Sequence, residues 1–317
     1  MKYLVTVIIP MYNESMNIEK CIKNLCEQTN QNFEVIFVDD GSKDGTLQKL
    51  KGLLTTDIKF NYKIKSQKNK GAASARKNGI ESAETQFIMM LDCDDMLSIN
   101  AIEEVYSIYN YNTDVDVIVP NMLMQKQDGK WNKLEIYTDE LMLDPIDCVK
   151  NSLGGWYIHG CLTIRKEIFL KSYKDYFKFN PGDENFINND EVLTRLNFLN
   201  SRIIIRSSSS YFYYFNENST TKKVNQSRYL MVKNAFILNV ILTKYNDLGF
   251  LSVQEIISVI WSINFYKFQN YTKIVNINEW NYLIKESLNK VVDMKVFFRL
   301  SLKKRFQFLI LRIIYLT

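Results

Sequence analysis

Apolar residues along the first 120 positions come in short continuous runs separated by helical-period segments. Phe87–Leu91 is apolar throughout, and Val5–Ile9, Phe33–Val38 and Val115–Val119 are each apolar but for one residue, Thr6, Glu34 and Asp116. Such runs predict strands buried on both faces of a sheet. Tyr62–Lys65 predicts a further short strand. Between them, Ser15–Gln28, Thr46–Leu54, Gly71–Ala83 and 99–110 repeat apolar residues at helical spacing. Gly71–Ala83 is rich in small residues and predicts a helix lying close to the sheet. Alternation of strand and helix at roughly thirty-residue intervals predicts βαβ units, hence an α/β domain with a mostly parallel sheet and helices on both faces.

Pro10 is expected to end the first strand. After Pro120 the pattern changes. Asp128-Gly129 between Met122–Gln127 and Trp131–Tyr137 is a hairpin signal. Segment 141–175 is mixed, with a strand at Leu162–Ile164 and a helix at Lys166–Lys171. A helix is expected at Asp190–Leu199. Ile203–Ile205 and Tyr211–Phe215 read as two strands around a polar turn at Ser207–Ser210. From Asn225 onward the periodicity is helical. Three parts follow: 1–120, 121–222, and 223–317 as a C-terminal helical extension with a basic amphipathic tail.

Composition changes this picture little. The chain has 317 residues, 46% apolar and 24% charged, with four prolines and eleven glycines. These values suit a globular protein and exclude long low-complexity linkers. Five scattered cysteines have no CxxC or zinc spacing, which predicts reduced thiols in a cytosolic setting. The first apolar run is too short for a signal peptide. No window holds eighteen uninterrupted apolar residues, so no spanning helix is expected.

Charge is uneven. Residues 294–317 hold six cations and no acid, while the rest is close to neutral against a net charge of +5. A general nucleic-acid footprint is therefore excluded. The tail mixes these cations with Phe and Leu over 296–317, which fits an in-plane helix at an anionic membrane surface. A core or dimer helix is the rival assignment.

The chemistry concentrates at strand ends. Phe87–Leu91 runs directly into Asp92-Cys93-Asp94-Asp95, three carboxylates in four positions. Parallel sheets bind ligands at the carboxyl ends of their strands. Carboxylates this close repel unless a cation or shared protons relieve them. Mg²⁺ or Mn²⁺, completed by substrate phosphates, is the simplest relief. A helix cap would account for one Asp, not three. Asp39-Asp40 ends the second strand beside Gly41-Ser42, suiting hydrogen bonds to a base or ribose. There is no GxxxxGK[ST] and no GxGxxG after the first strand, which disfavours P-loop and dinucleotide folds. Together the two strand ends describe a nucleotide-diphosphate site.

Four motifs then stand in order. They are Val7–Glu14 (Val-Ile-Ile-Pro-Met-Tyr-Asn-Glu), Val38–Thr46 with its Asp39-Asp40-Gly41-Ser42, Asn69-Lys70-Gly71 with Ala75-Arg76, and Leu91–Asp95. This set resembles the family 2 glycosyltransferases of GT-A fold, a Rossmann-like architecture, strongly over the first hundred residues and hardly over the last hundred. The resemblance implies that Asp40 contacts the donor base, usually uracil, and that Asp39 is structural or ribose-facing. Pro10, Tyr12 and Glu14 would line the nucleotide end. Asp94 would be the direct metal ligand, with Asp92 beside it at the ribose or metal, and Arg76 at the donor diphosphate. Asp190, in Asn189-Asp190-Glu191, would be the general base. Asn189 stands where Glu is usual and Lys77 where Asn is usual. His159, the lone histidine, is expected in packing or on the acceptor side. Asn216–Ser219 resembles a flexible loop, with Lys222 and Lys223 able to close over the diphosphate.

The implied activity is inverting, Mn²⁺- or Mg²⁺-dependent transfer of a hexosyl or N-acetylhexosaminyl group from a UDP-sugar. The acceptor would be a growing surface glycan or lipid-linked saccharide, and the site of action cytoplasmic or peripheral on the inner membrane face. Two alternatives come from other classes. One is a non-catalytic nucleotide-sugar-binding scaffold of the same fold. The other is a haloacid-dehalogenase-type phosphatase, which also carries a strand ending in DxD but places it early in its fold.

Overall fold

The computed structural model describes residues 2–54, 58–182, 184–216, 224–291 and 294–316. The elements in order are β1 (Val5–Met11), α1 (Ile18–Cys26), β2 (Glu34–Asp39), α2 (Thr46–Leu53), β3 (Asn61–Ser66), α3 (Ala72–Ser82), β4 (Phe87–Met90), β5 (Met96–Leu97) and α4 (Ala101–Tyr111). Then come β6 (Val117–Gln125), β7 (Trp131–Leu134), β8 (Met142–Leu143), α5 (Pro145–Leu153), β9 (Thr163–Arg165), α6 (Lys166–Phe177), α7 (Asn189–Asn200) and β10 (Ile204–Tyr213). Helices α8 (Met231–Leu242), α9 (Asn246–Gln269), α10 (Ile277–Val291), α11 (Met294–Arg299) and α12 (Leu302–Leu316) follow. The chain forms two compact units, Met1–Lys178 with Leu193–Asn216, and Phe179–Val192 with Glu217–Thr317.

The first unit holds one mixed sheet in the order β3-β2-β1-β4-β9-β6-β10-β5, with β7 on β6 and β8 on β10. Strands β3, β2, β1 and β4 are mutually parallel, as are β6 and β10. β9 runs antiparallel between β4 and β6. The continuous apolar runs are explained by burial, since β2 and β4 are buried at every residue and β1 at all but Pro10. Helix α3 approaches the sheet so closely that a Cβ on Gly79 would lie 2.5 Å from Ile8 Cγ2 and 3.3 Å from Val38 Cγ2. The small-residue pattern of this helix is thus a packing requirement.

Two sequence expectations need correcting, and one helix went unread. Pro10 does not end β1, which runs to Met11 in register with Asp39. Ile8 O accepts from Leu91 N, so residues 8 and 10 turn their polar groups toward β4, and β4 has ended at Met90. Proline's missing N–H therefore costs no ladder bond. Ser207–Ser210 is not a turn between two strands. It lies inside β10, where the register against β6 shifts between Arg206 and Ser210. The bulge is held by Asn121 Nδ2, which donates to the carbonyls of Ser207, Ser208 and Ser209 at 3.2–3.3 Å, and by Glu104, which accepts from Ser208 N at 2.9 Å. Helix α5 was not foreseen. Its start is fixed by Asp144, whose carboxylate caps Asp147 N at 2.9 Å ahead of Pro145 at the first turn.

The second unit is helical. Its core joins Ile256, Ile257, Ile260 and Ile263 of α9, Trp280, Ile284 and Leu288 of α10, and Phe308 and Leu311 of α12. Strict uninterrupted runs predicted no spanning helix. Within α9, however, Asp247–Gln269 is long and apolar enough to cross a membrane by length and composition alone, with mean hydropathy 1.4. Part of it, including Ile256, Ile257, Ile260 and Ile263, is buried in the helical core.

Candidate active site

The carboxyl ends of β1, β2 and β4 bring the acidic motifs to one edge of the first unit, with β1 between the other two. Asp40 is buried, and three donors surround its carboxylate. Oδ1 accepts from Gln67 Nε2 at 2.8 Å and Lys70 N at 2.9 Å, and Oδ2 from Gly71 N at 2.8 Å. Asp40 thus fixes the start of α3. Each such charged bond is worth about 1.5–3 kcal/mol. Gln67 also donates to Ser74 and accepts from Asn78, tying β3's end to α3. Gly41 stands at φ +76°, and a Cβ there would meet Asn69 N at 3.0 Å. Asp39 is buried too and caps Ser42 N at 3.2 Å.

The loop after β1 is braced against the loop after β2. Asn13, at φ +58°, donates its N–H to Ser42 Oγ and accepts from Lys43 N. Glu14 N donates to Thr46 Oγ1 at 2.8 Å, and Ser15 N to Asp44. Pro10, within β1, is half-buried, and Tyr12, on this loop, is exposed. Burial, with the charges of Asp94, Asp92 and Asp44, raises the Glu14 carboxyl to about 7, against a bond from Asn17 Nδ2 at 2.7 Å.

Beyond β4, Arg76 Nη2 contacts both oxygens of Asp92 at 2.8 and 3.1 Å. The Asp92 side chain remains 40% exposed. Asp94 accepts from Asn216 Nδ2 at 2.9 Å. Asp95 is buried, accepting from Tyr211 Oη at 2.7 Å and Tyr214 N at 2.9 Å. Burial foremost, then the Asp92 charge, raises it to about 8. Lys20 lies over the Tyr214 ring, 3.2 Å from its centroid, and feels both Asp95 and Asp94.

Among the described residues, no three His, Cys, Asp or Glu side chains converge on a point that could hold a metal alone. Mg²⁺ and Mn²⁺ sites shared with substrate phosphates use only one or two carboxylates. The half-buried Asp94 and partly exposed Asp92 fit that arrangement.

The remaining expected residues fall elsewhere. Lys77 places its ammonium 4.2 Å from the Phe177 ring centroid, so its departure from Asn serves α3–α6 packing. Both ring nitrogens of His159 are buried near Tyr157, without hydrogen-bond partners among the described residues. Burial, then the charge of Arg195, lowers its pKa to about 3, so it is neutral. Asp190 belongs to the second unit, in the first turn of α7. Among the described residues its carboxylate takes no hydrogen bond or ion pair. The turn before it contains Ile187 at φ +77°, a strained value for a β-branched residue. That turn is pinned by buried Asn234, whose Nδ2 donates to Asn188 Oδ1 and Asn189 Oδ1, each at 2.9 Å. Asn189 is therefore a structural residue. Lys222, Lys223 and Glu217–Ser219 lie outside the described residues.

Tyr211, Asp95, Lys20 and Gln67 were not singled out from sequence. Only Asp95, as part of the acidic run, carried a readable signal.

The profile of "Glycosyl transferase family 2" matches residues 6–172, just over half of the chain. The chain belongs to glycosyl transferase family 2. Membership removes the phosphatase alternative. Within family 2, the chain is 29% identical over 182 residues to glycosyltransferase GlyG of Streptococcus pneumoniae serotype 4, covering 53% of this chain and 59% of that protein. It is 37% identical over 175 residues to the uncharacterized glycosyltransferase EpsJ of Bacillus subtilis, covering 53% and 50%. The chain thus spans between half and three-fifths of these relatives. Its fold superposes on the crystal structure of S. aureus TarS 1-349 in complex with UDP with a TM-score of 0.67 at 19% identity, covering 98% of this chain and 87% of that one. A second TarS 1-349 structure, in complex with UDP-GlcNAc, gives a TM-score of 0.65. The GT-A-like sheet expected from sequence is the one observed.

Proposed function

We propose that the chain is a metal-dependent, inverting glycosyltransferase acting on a UDP-sugar. It would move a hexose or N-acetylhexosamine to a hydroxyl of a growing surface glycan or a lipid-linked saccharide. The observation that carries this reading is the cluster at the end of β4. There Arg76, Asp92 and Asp94 lie at the sheet edge where α/β folds take ligands. The TarS structures with UDP and UDP-GlcNAc support the choice of donor.

Asp94, with Asp92, would hold Mn²⁺ or Mg²⁺. Bound there, the cation supplies Lewis acidity that neutralises a leaving diphosphate. The protein residues do the rest. Asp40, Lys70 and Gly71 would form a preorganised wall for the nucleoside end, which Pro10, Tyr12 and Glu14 would also line. Asp40 takes two bonds on Oδ1 and one on Oδ2, which leaves Oδ2 a lone pair to accept an N–H of the donor base. Arg76 orients Asp92 and adds positive charge beside the diphosphate. Asp190 takes the proton of the acceptor hydroxyl, whose oxygen attacks the anomeric carbon as the UDP–sugar bond breaks. One displacement inverts the configuration. The absence of a partner on Asp190, among the described residues, suits a base that waits for substrate.

The test is release of UDP from a panel of UDP-sugars with and without saccharide acceptor, for the parent and Asp190→Asn. The expected result is acceptor-stimulated release that falls by roughly 10²–10⁴ in kcat in the variant while UDP affinity holds. Equal turnover by the variant would remove Asp190 as the base. UDP binding without turnover on any acceptor would favour the scaffold alternative.

A further inference from the structure

Helix α12 has two apolar faces. One is in the core of the second unit, where Phe308 and Leu311 are buried. Tyr315 on the same side donates to Asn264 at 2.6 Å, and Lys304 donates to Ser258. The other face is open. Leu302 is 81% exposed, Phe306 65%, Leu309 48% and Ile313 64%. Their spacing of four, three and four residues puts them within an arc of roughly 60° at about 100° per residue. From Leu302 to Ile313 the stripe is about 17 Å long. A core helix needs only the first face, so the second is unexplained by folding.

Charge identifies the partner. Lys303 and Arg312 are exposed and flank the open stripe on opposite sides. Lys295, Arg299, Lys304 and Arg305 bring the run from 295 to 316 to six cations, with no acid. A second copy meeting this face would set like charge against like charge. An anionic lipid surface takes apolar side chains into the acyl boundary and pairs flanking cations with headgroups. From the open stripe and its flanking charges we infer that α12 docks in plane on an anionic membrane surface, through Leu302, Phe306, Leu309 and Ile313, with Lys303 and Arg312 at headgroup level. The inference is independent of the donor-site reading. The buried face of α12 accounts for the core assignment, and the inference concerns only its open face.

The test is co-sedimentation of the full chain with vesicles of mixed phosphatidylcholine and phosphatidylglycerol, and with phosphatidylcholine alone. The expected result is binding to the mixed vesicles, weakened by salt, and little binding to neutral ones. Lys303→Gln with Arg312→Gln should lower partitioning by about fivefold per cation. Leu309→Gln with Ile313→Gln should lower it by at least about tenfold. Both pairs are exposed. If the apolar pair disturbs folding, judged by circular dichroism, the charge pair carries the test alone. Failure to bind mixed vesicles, or binding that neither pair changes, would overturn the inference. So would a dimer in sedimentation velocity that Leu309→Gln with Ile313→Gln abolishes, since the stripe would then belong to a second copy.

Discussion

The Tyr211 hydroxyl donates to Asp95 Oδ2 at 2.7 Å and accepts the Asp92 N–H at 3.2 Å, so one side chain joins both ends of the acidic loop. Tyr211 is fully buried and its own ionisation is pushed well above the ordinary range, by burial first and then by Asp95 and Asp92. It therefore acts as a neutral strut. Tyr211→Phe keeps the ring and deletes both bonds, leaving Asp95 and the Asp92 amide with fewer partners. The expected loss is about 1–3 kcal/mol of stability. The donor KM should rise more than kcat falls, since the loop is loosened and no reacting group is removed. Chemical denaturation and steady-state kinetics check the two parts.

Gly79→Ala tests how closely α3 lies on the sheet. In an ordinary helix interior this change stabilises by about 0.5–1 kcal/mol. Here the new Cβ would stand 2.5 Å from Ile8 Cγ2, and Ile8 is itself buried in β1. The expected sign is reversed, with a loss of about 1–3 kcal/mol. A lower melting temperature for the variant checks it.

His159 makes stability depend on acid. Its folded pKa, near 3, lies below the ordinary 6.5. The unfolded chain therefore binds a proton in a range where the folded one does not. The contribution is fully present above pH 6.5 and is lost as pH falls from there toward 3. The slope is ~1.4 kcal/mol per pH unit from this one group. His159→Gln removes the titration. The stability difference between parent and variant should shift by about 2 kcal/mol on going from neutral pH to about pH 5. Urea unfolding at several pH values measures it.

The sequence was most informative where structure is local. Asp92, Asp94 and Asp40 sit at the ends of fully buried strands, so an apolar run followed by carboxylates marked both the sheet and its ligand edge. The tie between Tyr211 and Asp95 spans 116 positions and depends on the β10 bulge, neither of which leaves a local pattern. The serine run of β10 reads as a turn because nothing in it signals that Asn121 and Glu104 will satisfy its backbone. Asn189 looked like a lost functional residue. Its partner Asn234 lies 45 positions away, so only the fold reveals it as a clamp. Gly79 carried a readable signal because small residues in a helix have one common reason, close approach.

The central claim is a nucleotide-diphosphate site at Asp94 that needs a divalent cation. Calorimetric titration of UDP into the parent and Asp94→Ala, each with and without Mn²⁺, tests it most directly. The account expects binding in the parent that depends on Mn²⁺ and is abolished by the substitution. Equal UDP binding by both proteins, or parent binding indifferent to the metal, would contradict it.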